Sequence, residues 1–116
     1  MPPRNWPLRI ADILVAIDDV EDFVSGMDFE SFTHDRKTVN AVIRALTVIG
    51  EAANHVPNDI ADLHPEIPWA DMRDMRNVVV HEYFGVDARV LWDTAHDDLP
   101  PLVTPLRSLV SEQPGD

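Results

Sequence analysis

Apolar residues recur at spacings of three and four through the middle of the chain, and this pattern restricts the fold more than any other feature. They are Val39, Val42, Ile43, Leu46, Ile49, Ala53 and Val56. The spacing puts all of them on one face of a helix of about five turns. Pro57, which has no amide proton to donate, ends the pattern. Gly50 lowers the stability of such a helix and is typical of close packing against a neighbouring helix.

Three other segments show the same period. A helix is predicted between Pro7, a favoured starting residue, and Gly26, which ends it. Another runs over residues 69–84, and a last one follows Asp87, a good N-terminal cap. This last helix must be kinked or restarted by its prolines, which are Pro100, Pro101 and Pro105.

The connections between these helices carry turn signals. Residues 27–34 are predicted as a connection or a short turn of helix that Asp28 or Ser31 caps. Phe29 and Phe32 can anchor it to the core. The connection at residues 57–68 contains three prolines and is predicted to contain one short helix at most.

No strand pattern, hairpin dipeptide or internal repeat is present in the sequence. The sequence therefore predicts a single domain over residues 1–116 with an all-α fold, an up-and-down bundle of four to five helices.

The composition excludes several kinds of site. The chain has no cysteine, so it can form no disulfide framework, no cysteine-ligated zinc site and no thiol nucleophile. No apolar run reaches the roughly 20 residues that span a bilayer, and a cytoplasmic location without membrane contact is expected. The 9 basic and 21 acidic residues give a net charge of −12, which argues against non-specific binding to nucleic acid. Any RNA site must therefore be a local basic cluster.

One segment concentrates groups suited to phosphate chemistry: Arg76, Asn77, His81 and Tyr83. On a helix, Arg76 and Tyr83 share nearly one stripe, and Asn77 and His81 share the next. A guanidinium donates two parallel hydrogen bonds to a phosphate, and an imidazole exchanges protons near neutral pH. These four residues therefore form a candidate site for phosphodiester chemistry.

The spacing alone leaves a structural alternative open. Arg76 could form an ion pair with Asp71, Asp74 or an acid on another helix. His81 could cap its own helix, and Tyr83 could be a core aromatic. Arg76 and His81 also lie about 140° apart around a helix, which suits one small ligand only if two copies meet across a two-fold axis.

At these residues the chain resembles the HepT family, the toxins of toxin–antitoxin pairs within the HEPN superfamily of small helical ribonucleases. The family motif of Arg, four residues, His, one residue and Tyr stands here as Arg76, His81 and Tyr83. Further similar stretches, such as 49–52, extend the resemblance over nearly the whole chain. This sequence departs from the family pattern at Asp74, where the family commonly has glycine. The Asp74 carboxylate adds negative charge beside the expected phosphate site.

The resemblance implies a homodimer in which the two motifs face each other and form a metal-independent endoribonuclease site without a cofactor. A ribose 2′-hydroxyl would attack the adjacent phosphate, with His81 as general base or acid and Arg76 stabilising the phosphorane. Asn77 would orient the phosphate or the imidazole.

The resemblance also implies a protein partner, a minimal nucleotidyltransferase antitoxin in a system of the type II or type VII kind. This partner would add AMP to Tyr83. The charge and bulk of the added group would then exclude an RNA phosphate from the site.

The remaining polar and aromatic candidates are weaker. Arg44 and Arg73 could extend the phosphate track, although an ion pair is the commoner role for each. Trp69 and Trp92 are predicted to pack rather than to stack on bases. The other histidines lack metal-ligand spacing and are predicted as surface or capping residues; they are His34, His55, His64 and His96.

Two functions of different classes remain. The favoured one is an RNA-cleaving toxin that acts on tRNA or mRNA. The alternative is a non-catalytic helical partner that binds a nucleotidyltransferase or a nucleotide, which the charge of −12 favours.

Overall fold

The computed structural model describes residues 5–77 and 87–111, and these residues are helical or lie in short connections. The α-helices are α1 (Trp6–Val24), α2 (Phe29–Thr33), α3 (Arg36–Asn54), α4 (Asn58–Asp62), α5 (Trp69–Asp74), α6 (Ala88–Asp93) and α7 (Val103–Ser111). Within the described ranges there is no strand, which confirms the all-α fold. None of the helices in these ranges has both the length and the apolarity that crossing a membrane requires.

Side-chain hydrogen bonds fix where α2 and α3 begin. Asp28 Oδ1 accepts from the Ser31 N–H at 2.8 Å, and Ser31 Oγ accepts from the Asp28 N–H at 3.0 Å. Both residues predicted to cap this segment therefore do so. At the start of α3, Asp35 Oδ1 accepts from the Thr38 N–H at 3.1 Å. These backbone donors favour the charged carboxylates and hold the pKa of Asp28 and of Asp35 below the usual 3.8.

The packing of α1 against α3 forms the largest helix contact in the described structure. Its inward residues are completely or almost completely buried: Ile10, Ile13, Ile17, Val20, Val42, Leu46 and Ile49. Arg9 of α1 lines a groove together with Ala52 of α3, whereas Phe23 lines a groove with Ala41. The two helices are therefore antiparallel, and both predicted apolar faces are confirmed.

The proline-rich end of the chain shows the predicted breaks. After α6 comes a π-turn at Thr94–Asp98, and the Leu99 N–H donates to the Thr94 carbonyl at 3.0 Å. A 3-10 turn at Pro100–Leu102 leads into α7. Prolines have no amide proton, so an unbroken ladder of α-helical hydrogen bonds cannot pass through this region.

The segment that carries the candidate site begins as predicted. Helix α5 tightens into a 3-10 turn at Met75–Asn77, where Met75 is partly buried against the core. The rest of the predicted helix, residues 78–84, lies outside the described residues.

Gly50 lies where α3 touches this 3-10 turn. A Cβ atom at Gly50 would be 2.7 Å from the Cβ of Arg76 and 3.0 Å from its Cα, closer than non-bonded carbons pack. The prediction of close packing at Gly50 is confirmed. The backbone that carries Arg76 rests directly on the backbone of α3.

We predict that Gly50→Ala destabilises the protein although alanine is the better helix former. The helical preference for alanine contributes about 1 kcal/mol, whereas forcing apart two packed backbones costs about 1–3 kcal/mol. Thermal and urea denaturation followed by circular dichroism measure the difference. Asn40→Ala, at an exposed position of α3, is the control and is expected to be neutral or slightly stabilising. A Gly50→Ala variant as stable as this control would contradict the close contact.

Candidate active site

Arg76 projects from the 3-10 turn at the edge of α3. Its Nη1 donates to Glu51 Oε1 at 3.5 Å, and the two side chains are 42% and 53% exposed. Glu51 directly follows Gly50, so the contact between the two backbones also brings these two side chains together. The ion pair that the structural alternative expected is therefore present, with an acid of another helix. It leaves the Arg76 side chain partly open to solvent.

A groove of about 480 Å³ between α1 and α3 runs up to this ion pair. Glu51 lines it together with Arg44, which lies two helical turns earlier on the same side of α3, and with Arg9 and Asp12 from α1. The predicted role of Arg44 on a phosphate track is thus compatible with its position. Arg9 has no distinguishing spacing in the sequence, and only the antiparallel packing of the two helices brings it to the groove.

The other motif residues differ in how far the structure describes them. Asn77 is the last residue of the 3-10 turn and is exposed. His81 and Tyr83 lie outside the described residues, so their predicted roles remain predictions. Of the four motif residues, the structure therefore describes Arg76 and Asn77.

Arg73 has a different environment from Arg76. Its Nε and Nη2 donate to the carbonyls of Ala53 and Val56, both at 3.4 Å, at the carboxyl end of α3. Nη2 also lies 3.5 Å from Asn58 Oδ1. A cation at this end of a helix is favoured because the last carbonyls carry partial negative charge. These contacts join α3 to α5, and they occupy donors that a phosphate would need.

Asp74 lines a separate groove of about 620 Å³, together with Asp71, Asp97 and Asp98. This groove does not include Arg44 or Glu51. In the described residues, no group of three histidine, aspartate or glutamate side chains is arranged to hold a metal ion.

The tryptophans pack as predicted. Trp69 is buried and its Nε1 donates to the His64 carbonyl at 3.0 Å. The ring centroid of Trp92 lies 5.4 Å from that of Phe32, and Trp92 stacks on His96.

Two of the four remaining histidines form hydrogen bonds with carbonyls at the ends of their own helices, His34 with Glu30 and His55 with Glu51. This confirms the capping role for these two.

Comparison with known proteins agrees with the motif. The sequence profile described as "Ribonuclease HepT-like" matches residues 13–109. A probable ribonuclease HepT of Thermococcus cleftensis is 53% identical over 99 residues, which cover 85% of this chain and 90% of that protein. A putative RNase of Methanocaldococcus jannaschii is 34% identical over 116 residues, which cover 100% and 96% of the two chains. No solved structure matches the chain significantly. The chain therefore belongs to the HepT-like ribonuclease family, as the resemblance at Arg76, His81 and Tyr83 and along most of the sequence implied.

Proposed function

We propose that this protein is the RNA-cleaving toxin of a toxin–antitoxin pair and that Arg76 and His81 form a metal-independent endoribonuclease site. Membership in a ribonuclease family supports RNA as the substrate. The observation that carries the assignment of the site is the position of Arg76. Its backbone rests on Gly50, and its partly exposed guanidinium pairs with Glu51, which lines a groove that also contains Arg9, Arg44 and Asp12.

Cleavage proceeds by internal transfer. The ribose 2′-oxygen attacks the adjacent phosphorus while His81 takes the hydroxyl proton, and the bond from phosphorus to the 5′-oxygen breaks. A proton returned from an imidazolium neutralises the leaving oxygen. The products are a 2′,3′-cyclic phosphate and a free 5′-hydroxyl, so no water or metal ion enters the bond-breaking step.

The guanidinium of Arg76 suits the charge that develops in this step. Its hydrogen bond to Glu51 uses Nη1, and a guanidinium carries five N–H donors in a planar fork. The remaining donors can bind two non-bridging oxygens of the phosphorane side by side. Asn77, the next residue along the chain, supplies an amide to orient the phosphate or the imidazole.

We predict that the purified protein cleaves tRNA or total RNA in the presence of EDTA and leaves 2′,3′-cyclic ends. His81→Ala should lower the rate about 10²- to 10⁴-fold by removing proton transfer, and Arg76→Ala about 10²- to 10³-fold by removing charge stabilisation. Sequencing of the RNA ends and gel assays measure both. Arg36→Ala, at an exposed position near the start of α3, is the control and should retain full activity.

The alternative function, a non-catalytic partner of a nucleotidyltransferase, gives the opposite result in the same assay. The net charge of −12 favours it because RNA is repelled at long range. Under this alternative, wild type and both variants leave RNA intact while the partner still binds. Cleavage that disappears on addition of EDTA would contradict the metal-independent mechanism instead.

The active unit in this proposal is a homodimer, and an apolar patch on the outer side of α1 and α3 supports it. The patch consists of Val15, Phe23 and Val48, which are 61%, 37% and 37% exposed. Asp12, Asp19 and Arg44 border it, and in a two-fold contact the same patch serves both copies. Glu51 lies one helical turn from Val48, and contact through the patch therefore draws both Arg76 side chains towards the dimer axis.

We predict that Val48→Asp converts the dimer into a monomer, because a carboxylate in the patch must lose its hydration when a second copy binds. Sedimentation velocity measures the change. Leu63→Asp is the matched control, since Leu63 is 72% exposed but lies outside the patch, and it should remain dimeric. A dimeric Val48→Asp variant would contradict this interface, and a monomeric wild type would contradict the dimer.

The proposed antitoxin is a nucleotidyltransferase that modifies Tyr83. The phenolic oxygen would bond to the α-phosphorus of ATP and pyrophosphate would leave. The chain contains a single tyrosine, so tyrosine modification can occur at no other residue. The phosphate would add negative charge next to the motif and repel the RNA backbone.

We predict that incubation with the partner nucleotidyltransferase, magnesium and ATP raises the intact mass by one or more adenylyl groups and stops RNA cleavage. Tyr83→Phe should keep its mass and its activity under the same conditions, because the attacking oxygen is absent. Mass spectrometry of both samples is the measurement. An equal mass increase in the Tyr83→Phe variant would place the modification elsewhere.

A further inference from the structure

We infer that Glu51 is a positioning residue for Arg76, holding one edge of its guanidinium so that the other edge faces the RNA phosphate. The inference rests on the proposed role of Arg76 in phosphodiester cleavage. It adds to the site a residue that lies 25 positions before Arg76 in the sequence and outside the motif.

The backbone contact distinguishes this ion pair from an ordinary surface pair. Exposed ion pairs usually contribute little, because two flexible side chains must be ordered to form them. Here Glu51 adjoins Gly50, and Gly50 contacts the backbone of Arg76 directly. The starting points of the two side chains are therefore fixed relative to each other before the ion pair forms, and less freedom is lost in forming it.

The geometry of the pair fits an orienting role. Glu51 Oε1 lies 3.5 Å from Arg76 Nη1, longer than the 2.7–2.9 Å typical of a strong charged hydrogen bond. Both side chains are about half exposed. Such a pair restricts the direction of the guanidinium, yet it is weak enough for a phosphate to share the same cation. A buried, short pair would instead compete with the substrate.

The position of Glu51 also sets the direction from which the substrate arrives. Glu51 lies in the groove that contains Arg9 and Arg44. Arg44 also borders the proposed dimer patch, so an RNA backbone that enters from the side of Arg9 reaches Arg76 past the Glu51 carboxylate. The carboxylate repels a phosphate from the paired edge of the guanidinium and so leaves the opposite edge as the binding surface.

The test is a comparison of Glu51→Gln with wild type in single-turnover cleavage of a short RNA oligonucleotide. Glutamine keeps the size and the hydrogen-bond acceptor but removes the charge. We expect the maximal rate to fall about 10- to 100-fold, the loss typical of a misplaced catalytic group, with KM and the melting temperature little changed. Glu30→Gln, on the exposed side of α2, is the matched control and should behave as wild type.

A double-mutant cycle with Arg76→Lys tests whether Glu51 acts through the guanidinium. Lysine keeps the charge but has no planar fork to orient, so Glu51→Gln should have little further effect in that background. An unchanged maximal rate in Glu51→Gln would overturn the inference, as would a gain in rate through tighter RNA binding. Full activity of Arg76→Ala would overturn the proposed site itself. The Arg76→Ala variant therefore distinguishes a failure of the proposed site from a failure of the inference about Glu51.

Discussion

The missing side chain at Gly50 is the constraint on which the candidate site depends. Helix α3 is held in place by its buried face against α1. Because Gly50 has no Cβ, the 3-10 turn that carries Arg76 can lie directly on α3. Arg76 is therefore positioned by a direct backbone contact with a helix whose other face is buried in the core. A site arranged in advance in this way needs little reorganisation when charge develops on the substrate.

The helices could be predicted from the sequence because their causes are local. Apolar spacing, the Asp28 and Ser31 caps and the missing amide protons of the prolines each act over a few residues. The contacts of the site could not be predicted in the same way. Gly50 indicated a close neighbour, but nothing in its surroundings identified Arg76. The role of Arg73 at the end of α3 likewise depends on how two distant segments pack.

The charge of the chain constrains how RNA can reach the site. The groove that leads to Glu51 contains two arginines, Arg9 and Arg44, beside Asp12, whereas Asp71 and Asp74 line a different groove. A net charge of −12 repels RNA at distances beyond a few ångströms. At an ionic strength of about 0.1 M, salt screens this repulsion at distances beyond about 10 Å. Under the proposed function we therefore expect two opposing effects of salt, an easier approach of RNA and weaker contacts between RNA and the arginines.

The orientation of α7 depends on the number of residues in the π-turn at Thr94–Asp98 that precedes it. The hydrogen bond from the Leu99 N–H to the Thr94 carbonyl spans five residues, so this turn contains one residue more than an α-helical turn. Ala95, Leu99 and Leu102 are all buried across this turn. Deleting a single residue here would rotate everything beyond it by about 100° and turn the apolar face of α7 towards solvent. A change in chain length should therefore cost less stability in the connections between helices than in this short turn.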